Sequence, residues 1–389
     1  MARKTTGDYR KTLLAVLLSE LFVGLSFGIA AQAQTPTSEI TLRIGLLSPL
    51  TGPAAQIGTP VAEGAGIARD EIMAGGGRLE LAVEDDQCSG RAALDAYNKL
   101  TQVSGLHALL GPLCNAAAVP LLSLAERRRT LLLITGMPAD SVLAGGDFVF
   151  TLLPSVRASA ARLVEFGAQQ FVCRSFSVLY ADDEFGSSAA AAFQQSAAYV
   201  GGKIINAEQY SRSTLDFRAL LTRFKTNGSS VLLMAGYGPE YAAVMKQMHE
   251  LNLPQPLLTM PTFQVSETAQ AQTPGMPPVY YSYPGASGSA AARKLAAGYS
   301  KLHPEVPAGG VLPMYLGAGY DGVQLLYQAL RTCGEKDSQC VRRKLVESPA
   351  YEGANGRISF DAKGNNQELG AVEIRVLDQG RFAVFGGQK

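Results

Sequence analysis

The sequence predicts an α/β fold: two doubly wound parallel-sheet lobes joined by a multi-strand hinge. Two observations carry this prediction. Apolar strand patterns and amphipathic helix patterns alternate in two successive series. The chain behind an N-terminal leader is also longer than one hydrophobic core supports, so two domains are expected. A third observation, a tail unlike either series, indicates that the chain crosses between the lobes more than once.

The first series reads strand 42–47, helix 60–74, strand 79–83, helix 90–103, strand 107–110, helix 115–127 and strand 131–134. Continuous apolar strands divided by amphipathic helices specify a parallel sheet covered on both faces. The second series opens after Pro154. It reads helix 156–169, strand 177–180, helix 186–199, strand 203–207, helix 215–225, strand 231–235, helix 239–250 and strand 256–260. Segment 274–288, with four prolines and three glycines, punctuates the chain. Helices near 289–302, 312–332 and 338–347 follow, then a tail with short strands at 357–360 and 372–377. Crossings are expected near 153–156, near 283–288 and in the tail. They divide the chain into one lobe of 38–154 plus 285–368 and another of 155–284 plus 369–389. Ligands on open parallel sheets bind beyond the carboxyl ends of the strands. Two such sheets facing each other would close over a small molecule about a hinge.

The leader carries its own signal. Arg3, Lys4, Arg10 and Lys11 form a basic start, and 13–18 and 21–29 are apolar runs broken by Ser19 and Glu20. Ala31-Gln32-Ala33 is a small-x-small site. This reads as a signal peptide over 1–33 with Gln34 as the mature N-terminus, and it implies a periplasmic, oxidising location. A retained anchor is the rival reading, but the run is shorter than the ~20 residues that span a bilayer. No later stretch approaches 18 apolar residues.

Hydrophobic residues make up 47% of the chain and charged residues 17%. Without the leader, 30 basic residues stand against 31 acidic ones. That near-neutral balance argues against nucleic acid or an anionic membrane as partner. The five cysteines are Cys88, Cys114, Cys173, Cys333 and Cys340, so at least one is unpaired. Cys88 with Cys114, and Cys333 with Cys340, are candidate disulfides in an oxidising compartment. Cys173, in an apolar run, reads as a buried thiol.

No HExxH or phosphate-loop pattern occurs, behind the leader there is no GxSxG pattern, and His107, His249 and His303 lack metal-ligand spacing. No cofactor and no metal is expected. His107 opens a buried strand and reads as a packed histidine. Gly317-Ala318-Gly319-Tyr320-Asp321-Gly322 matches GxGxxG, but it continues as helix and lacks the preceding strand. Its glycines instead suit close helix packing. Asp85-Asp86 is expected to cap the turn beside Cys88. Asn227-Gly228-Ser229 fits a glycosylation acceptor and, better, a plain turn.

Asp85-Asp86-Gln87-Cys88 together with Gly111-Pro112-Leu113-Cys114 resembles the periplasmic leucine/isoleucine/valine-binding proteins of ABC transporters. The resemblance extends to 52–58, to Tyr180-Ala181-Asp182-Asp183-Glu184-Phe185-Gly186, to Gly236-Tyr237-Gly238-Pro239-Glu240 and to 358–364, and so covers the chain from about residue 40. It implies a type I periplasmic binding fold with three hinge strands. It also implies a Cys88–Cys114 disulfide, which would stabilise by about 3 kcal/mol in the loop-entropy account.

The resemblance implies ligand contacts as well. Gln56 and Ile57 follow strand one, and Ile57 stands where an aromatic residue is frequent. Asn115 would cap the following helix, with the amides of Ala116 and Ala117 open to a substrate carboxylate. Gly136, Met137 and Pro138 form a loop in which Pro138 replaces a hydroxyl residue. On the second lobe, Phe185 replaces tyrosine and Tyr237 would cover the ligand. Thr262 falls where amino-acid binders carry an acid for the α-ammonium, with Phe263 beside it. A buried ammonium without a carboxylate is costly, and Asp182 or Asp183 is the candidate substitute. The expected function is a binding protein, not an enzyme. It would take up a small amino-acid-like or carboxylate solute, including an aromatic one, and deliver it to ABC permease subunits. A sensor presenting its ligand to a receptor is the alternative. A secreted hydrolase lacks a nucleophile–base constellation.

Overall fold

A computed structural model describes residues 41–285, 288–304, 312–368 and 372–386. The signal peptide expected over 1–33 lies outside the described residues.

The first sheet has the order β2-β1-β3-β4-β5. Its strands are β1 (Leu42–Ser48), β2 (Leu79–Asp85), β3 (Ala108–Leu110), β4 (Leu131–Ile134) and β5 (Val149–Thr151). All are parallel. β3 and β4 are buried along their whole length, as their unbroken Leu/Ile content requires. Three helices link these strands: α1 (Ala55–Ala74), α2 (Gly90–Asn98) and α3 (Asn115–Arg128), with a short α4 (Asp140–Leu143) before β5. The helix expected over 90–103 ends at Asn98, and its last turn, Lys99–Val103, is π-helical. His107 is half-buried and precedes β3 rather than opening it.

The second sheet has the order β14-β13-β10-β9-β8-β6-β7. β6 (Ser175–Ala181), β7 (Lys203–Tyr210), β8 (Val231–Ala235), β9 (Leu257–Thr259) and β10 (Val279–Pro284) run parallel. β13 (Val372–Asp378) and β14 (Arg381–Val384) extend the sheet antiparallel to β10. α5 (Val156–Gln170), α6 (Glu184–Tyr199), α7 (Arg218–Thr226) and α8 (Gly238–Glu250) cover it, and α9 (Ser266–Ala271) precedes β10. The sequence pattern missed β10. Its prolines read as a breaker, yet they bracket a Val-Tyr-Tyr-Ser-Tyr core that supplies an interior strand. α7 starts three residues later than expected, because Gln247 holds the preceding loop. Its Oε1 accepts from the Phe217 N–H at 2.6 Å and its Nε2 donates to the Leu215 carbonyl at 2.7 Å.

Three later helices, α10 (Ala290–Leu302), α11 (Met314–Cys333) and α12 (Ser338–Glu347), return to the first lobe. α11 packs along α1 with its backbone in close contact. A Cβ on Gly64 would stand 1.9 Å from the Leu316 carbonyl, and one on Gly319 would stand 2.0 Å from that of Val61. The GxGxxG match is therefore a helix-crossing surface. β11 (Tyr351–Gly353) and β12 (Gly356–Ile358) form a hairpin. Leu152, Leu153, Pro154, Pro284, Gly285, Asn366 and Glu368 converge around one narrow cavity, so three chain segments meet between the sheets.

Cys88 pairs with Cys114 and Cys333 with Cys340, at Cα–Cα separations of 5.3 and 5.5 Å. Cys173 is a buried free thiol, and burial raises its pKa. Asn227 is committed to its turn, accepting from the Ser229 N–H and donating to Ser177 Oγ.

Candidate functional site

The carboxyl ends of the two sheets place the candidate residues in three groups. The first group is a clamp in the first lobe. The Asp85 carboxylate accepts from the N–H groups of Leu50 and Gln87 and from Thr51 Oγ1, and so fixes the loop that leads into α1. Asp86 accepts from the Cys88 N–H at 2.8 Å, as its turn-capping role requires. The disulfide then joins this turn to the start of α3.

Asn115 is not the helix cap expected from the sequence. Cys114 occupies that position, and its carbonyl takes the Ala117 and Ala118 N–H groups at 3.0 and 2.9 Å. The Ala117 amide therefore turns into the helix rather than toward a ligand. The Asn115 carboxamide, nearly fully buried, instead bridges two loops. It donates to the Met137 carbonyl at 3.1 Å and accepts from the Ala139 N–H at 3.0 Å. Met137 and Pro138 are buried by this contact, and the Pro138 carbonyl accepts from the Val156 N–H. Gly136 passes so close to Leu113 that a Cβ would stand 1.8 Å from its carbonyl oxygen. Among Asn115, Ala116, Gly136, Met137 and Pro138, Ala116 alone is exposed.

The second group is a charged cluster in the second lobe. Asp183 caps α6 by accepting from the Gly186 N–H at 2.8 Å, and its other oxygen accepts from the Tyr237 hydroxyl at 2.8 Å. Phe185 lies against Tyr237, with ring centroids 5.6 Å apart. The Arg212 guanidinium stacks 3.6 Å from the centre of the Tyr237 ring, and its Nε donates to Glu240 Oε1 at 3.1 Å. Burial, and then the Asp183 carboxylate, drive the Tyr237 phenol far above its ordinary pKa. Arg212 was not legible from the sequence. It sits in a polar loop after β7, with no motif to mark it.

The third group lines a cavity of about 440 Å³ between the lobes. Gln56, Ile57 and Thr262, all anticipated, meet there with Gln264, Met314 and Tyr315. Asn115, Gly136, Met137, Pro138, Asp183, Phe185 and Tyr237 are not in its described lining. Across the cleft, a Cβ on Gly238 would stand 3.2 Å from Gln56 Oε1, and Ser141 Oγ donates to Glu184 Oε1 at 2.8 Å. The lobes are thus in contact. Thr262 Oγ1 donates to the Gly236 carbonyl at 2.7 Å and accepts from Tyr241, which stiffens this wall. Gln264 donates to the Leu312 carbonyl at 3.1 Å, and its oxygen accepts from Tyr281 and Arg375. Phe263 is not a cleft residue. It is fully buried among Tyr241, Tyr281 and Phe382, because its neighbour Thr262 takes the outward position.

Among the described residues no group of three or more His, Cys, Asp or Glu side chains is placed to hold a metal ion. No described helix is long and apolar enough to cross a membrane.

The model of one family, periplasmic binding protein, matches residues 41–379. The chain belongs to this family. Its members are solute-binding proteins, not enzymes, and the fold is the type I periplasmic binding fold. A family relative from Pseudomonas aeruginosa, a leucine-, isoleucine-, valine-, threonine- and alanine-binding protein, is 24% identical over 90% of this chain and 92% of its own. Among solved family structures, the branched-chain amino acid transporter substrate-binding protein LivJ from Streptococcus pneumoniae, in complex with isoleucine, superposes with a TM-score of 0.77. It is 22% identical and covers 89% of this chain and 98% of its own. A solute-binding protein of an ABC transporter from Rhodopseudomonas palustris, in complex with 3,4-dihydroxybenzoic acid, gives a TM-score of 0.76 at 18% identity. It covers 88% of this chain and 96% of its own.

Proposed function

We propose that this protein is the periplasmic solute-binding component of an ABC importer. Its ligand is a small carboxylate with an apolar or aromatic body, held between a lobe of 38–154 plus 285–368 and one of 155–284 plus 369–389. The segments that meet at 152–154, 284–285 and 366–368 serve as the hinge. Ligand binding favours the closed arrangement, which then docks on the permease subunits. The ligand shifts the open–closed population only by its differential affinity for the two states.

One observation carries the ligand class. The position expected to hold an acid for an α-ammonium is Thr262; of the candidate substitutes, Asp182 is exposed and accepts from the Arg212 N–H, and Asp183 has both oxygens engaged, by Gly186 and Tyr237. An α-ammonium buried there would lose water without gaining a counter-charge. Ile57, Met314 and Tyr315 give the cavity an apolar surface instead. Relatives and neighbours whose names state a ligand bind amino acids or benzoates, and the wall chemistry favours the second kind. Isothermal titration with leucine and with 4-hydroxybenzoate tests the reading. Binding of the aromatic acid with no detectable leucine binding is expected, and tight leucine binding would defeat it.

A further inference from the structure

The interlobe cavity runs beyond the residues assigned above. At about 440 Å³ it lies in the range of sites for ligands well above the size of benzoate or leucine. Its far end is formed by α1 and the end of α10, and there Glu63 Oε1 lies 3.1 Å from His303 Nε2. Both side chains are about a quarter exposed. His303 stacks on Tyr299, with ring centroids 4.4 Å apart. Glu63 is six residues along α1 from Ile57, a rise of about 9 Å at 1.5 Å per residue. The described lining carries no lysine or arginine. Thr262 and Gln264, two of the polar groups that line the cavity, already have partners. His303 takes up one Glu63 oxygen and leaves the other for a donor.

We propose that the far end of this cavity is a second recognition point, where Glu63, backed by His303, accepts a cationic or hydrogen-bond-donating group on the solute, remote from its carboxylate. The solute is then an extended acid with an apolar body and a donor at its other end, such as an ω-amino or ω-hydroxy aromatic acid. The inference rests on the aromatic-acid reading above and adds the requirement for a distal donor.

A matched pair tests it: 4-ethylbenzoate and 4-(aminomethyl)benzoate have nearly the same shape and differ in the distal charge. Calorimetric titration of the wild type is expected to give about ten-fold tighter binding of the aminomethyl acid, the size of one charge-assisted hydrogen bond. Glu63→Gln should bring the pair to within about two-fold by weakening the aminomethyl acid alone, with an unchanged melting temperature for the ligand-free protein. Glu63→Ala, carried through the same titrations, reads the same contrast should the first variant fold poorly. Equal binding of the pair by the wild type, or a preference that survives both variants, would overturn the inference and leave the aromatic-acid reading standing. Failure of both acids to bind the wild type would overturn the aromatic-acid reading, and the distal contact with it.

Discussion

The two walls of the cleft are built by different chemistry. On the first lobe a neutral carboxamide, Asn115, ties two loops through backbone groups, with a disulfide beside it. On the second lobe three charged residues, Asp183, Arg212 and Glu240, position an aromatic pair. The bonds that Asn115 makes in the first wall are neutral and depend little on ionic conditions. The second shares one guanidinium, that of Arg212, between two carboxylates, those of Asp183 and Glu240.

Substitutions can break this contrast, beginning with the largest effect. Arg212→Met leaves the Glu240 carboxylate, only 2% exposed, without its counter-charge. Loss of one partner of a buried pair costs about 3 kcal/mol, to be read as a lower urea midpoint at unchanged slope. A stability equal to wild type would show that the cluster is solvated. Asn115→Ala strips the Met137 carbonyl and the Ala139 N–H of their partner and should cost about 2 kcal/mol. As a neutral effect it should persist unchanged in 1 M salt.

The first wall also has a charge that works against it. Burial pushes the Asp86 carboxyl up to about 6, against the Cys88 N–H bond that favours its charged form. Its Oδ2 is buried without a partner. An unfolded aspartate titrates near 4, so between about pH 4 and 6 the folded state binds more protons than the unfolded one. Stability therefore falls as pH rises through that window. Asp86→Asn should stabilise the protein by about 2 kcal/mol at pH 7.5 and give no gain at pH 4. Calorimetric melting temperatures at the two values check this, and an equal shift at both would remove ionisation as the cause. The smallest effect is expected of Tyr237→Phe. It deletes one hydrogen bond to Asp183 and should cost about 1 kcal/mol in chemical denaturation.

Much of the fold was legible because period and polarity specify it. The strands Leu131–Ile134 and Val231–Ala235 are unbroken apolar runs between helix patterns, and they stand where the pattern placed them. β10 was not legible, since prolines that bracket a strand read the same as prolines that exclude one. Gln56, Ile57 and Thr262 were singled out by position along the chain, and they line one cavity. Asn115 was found, but its role was not. Asparagine at a helix start most simply caps it, and only the tertiary approach of the loop at Met137 diverts the side chain. Arg212, Tyr315, Glu63 and His303 come from separate elements and acquire their partners only in the folded chain.

The most direct test of the central claim is to denature the purified protein and identify the small molecule it releases by mass spectrometry. The account predicts an organic acid with an apolar or aromatic body and no α-ammonium group. Recovery of leucine, isoleucine or another aliphatic α-amino acid in stoichiometric amount would contradict it.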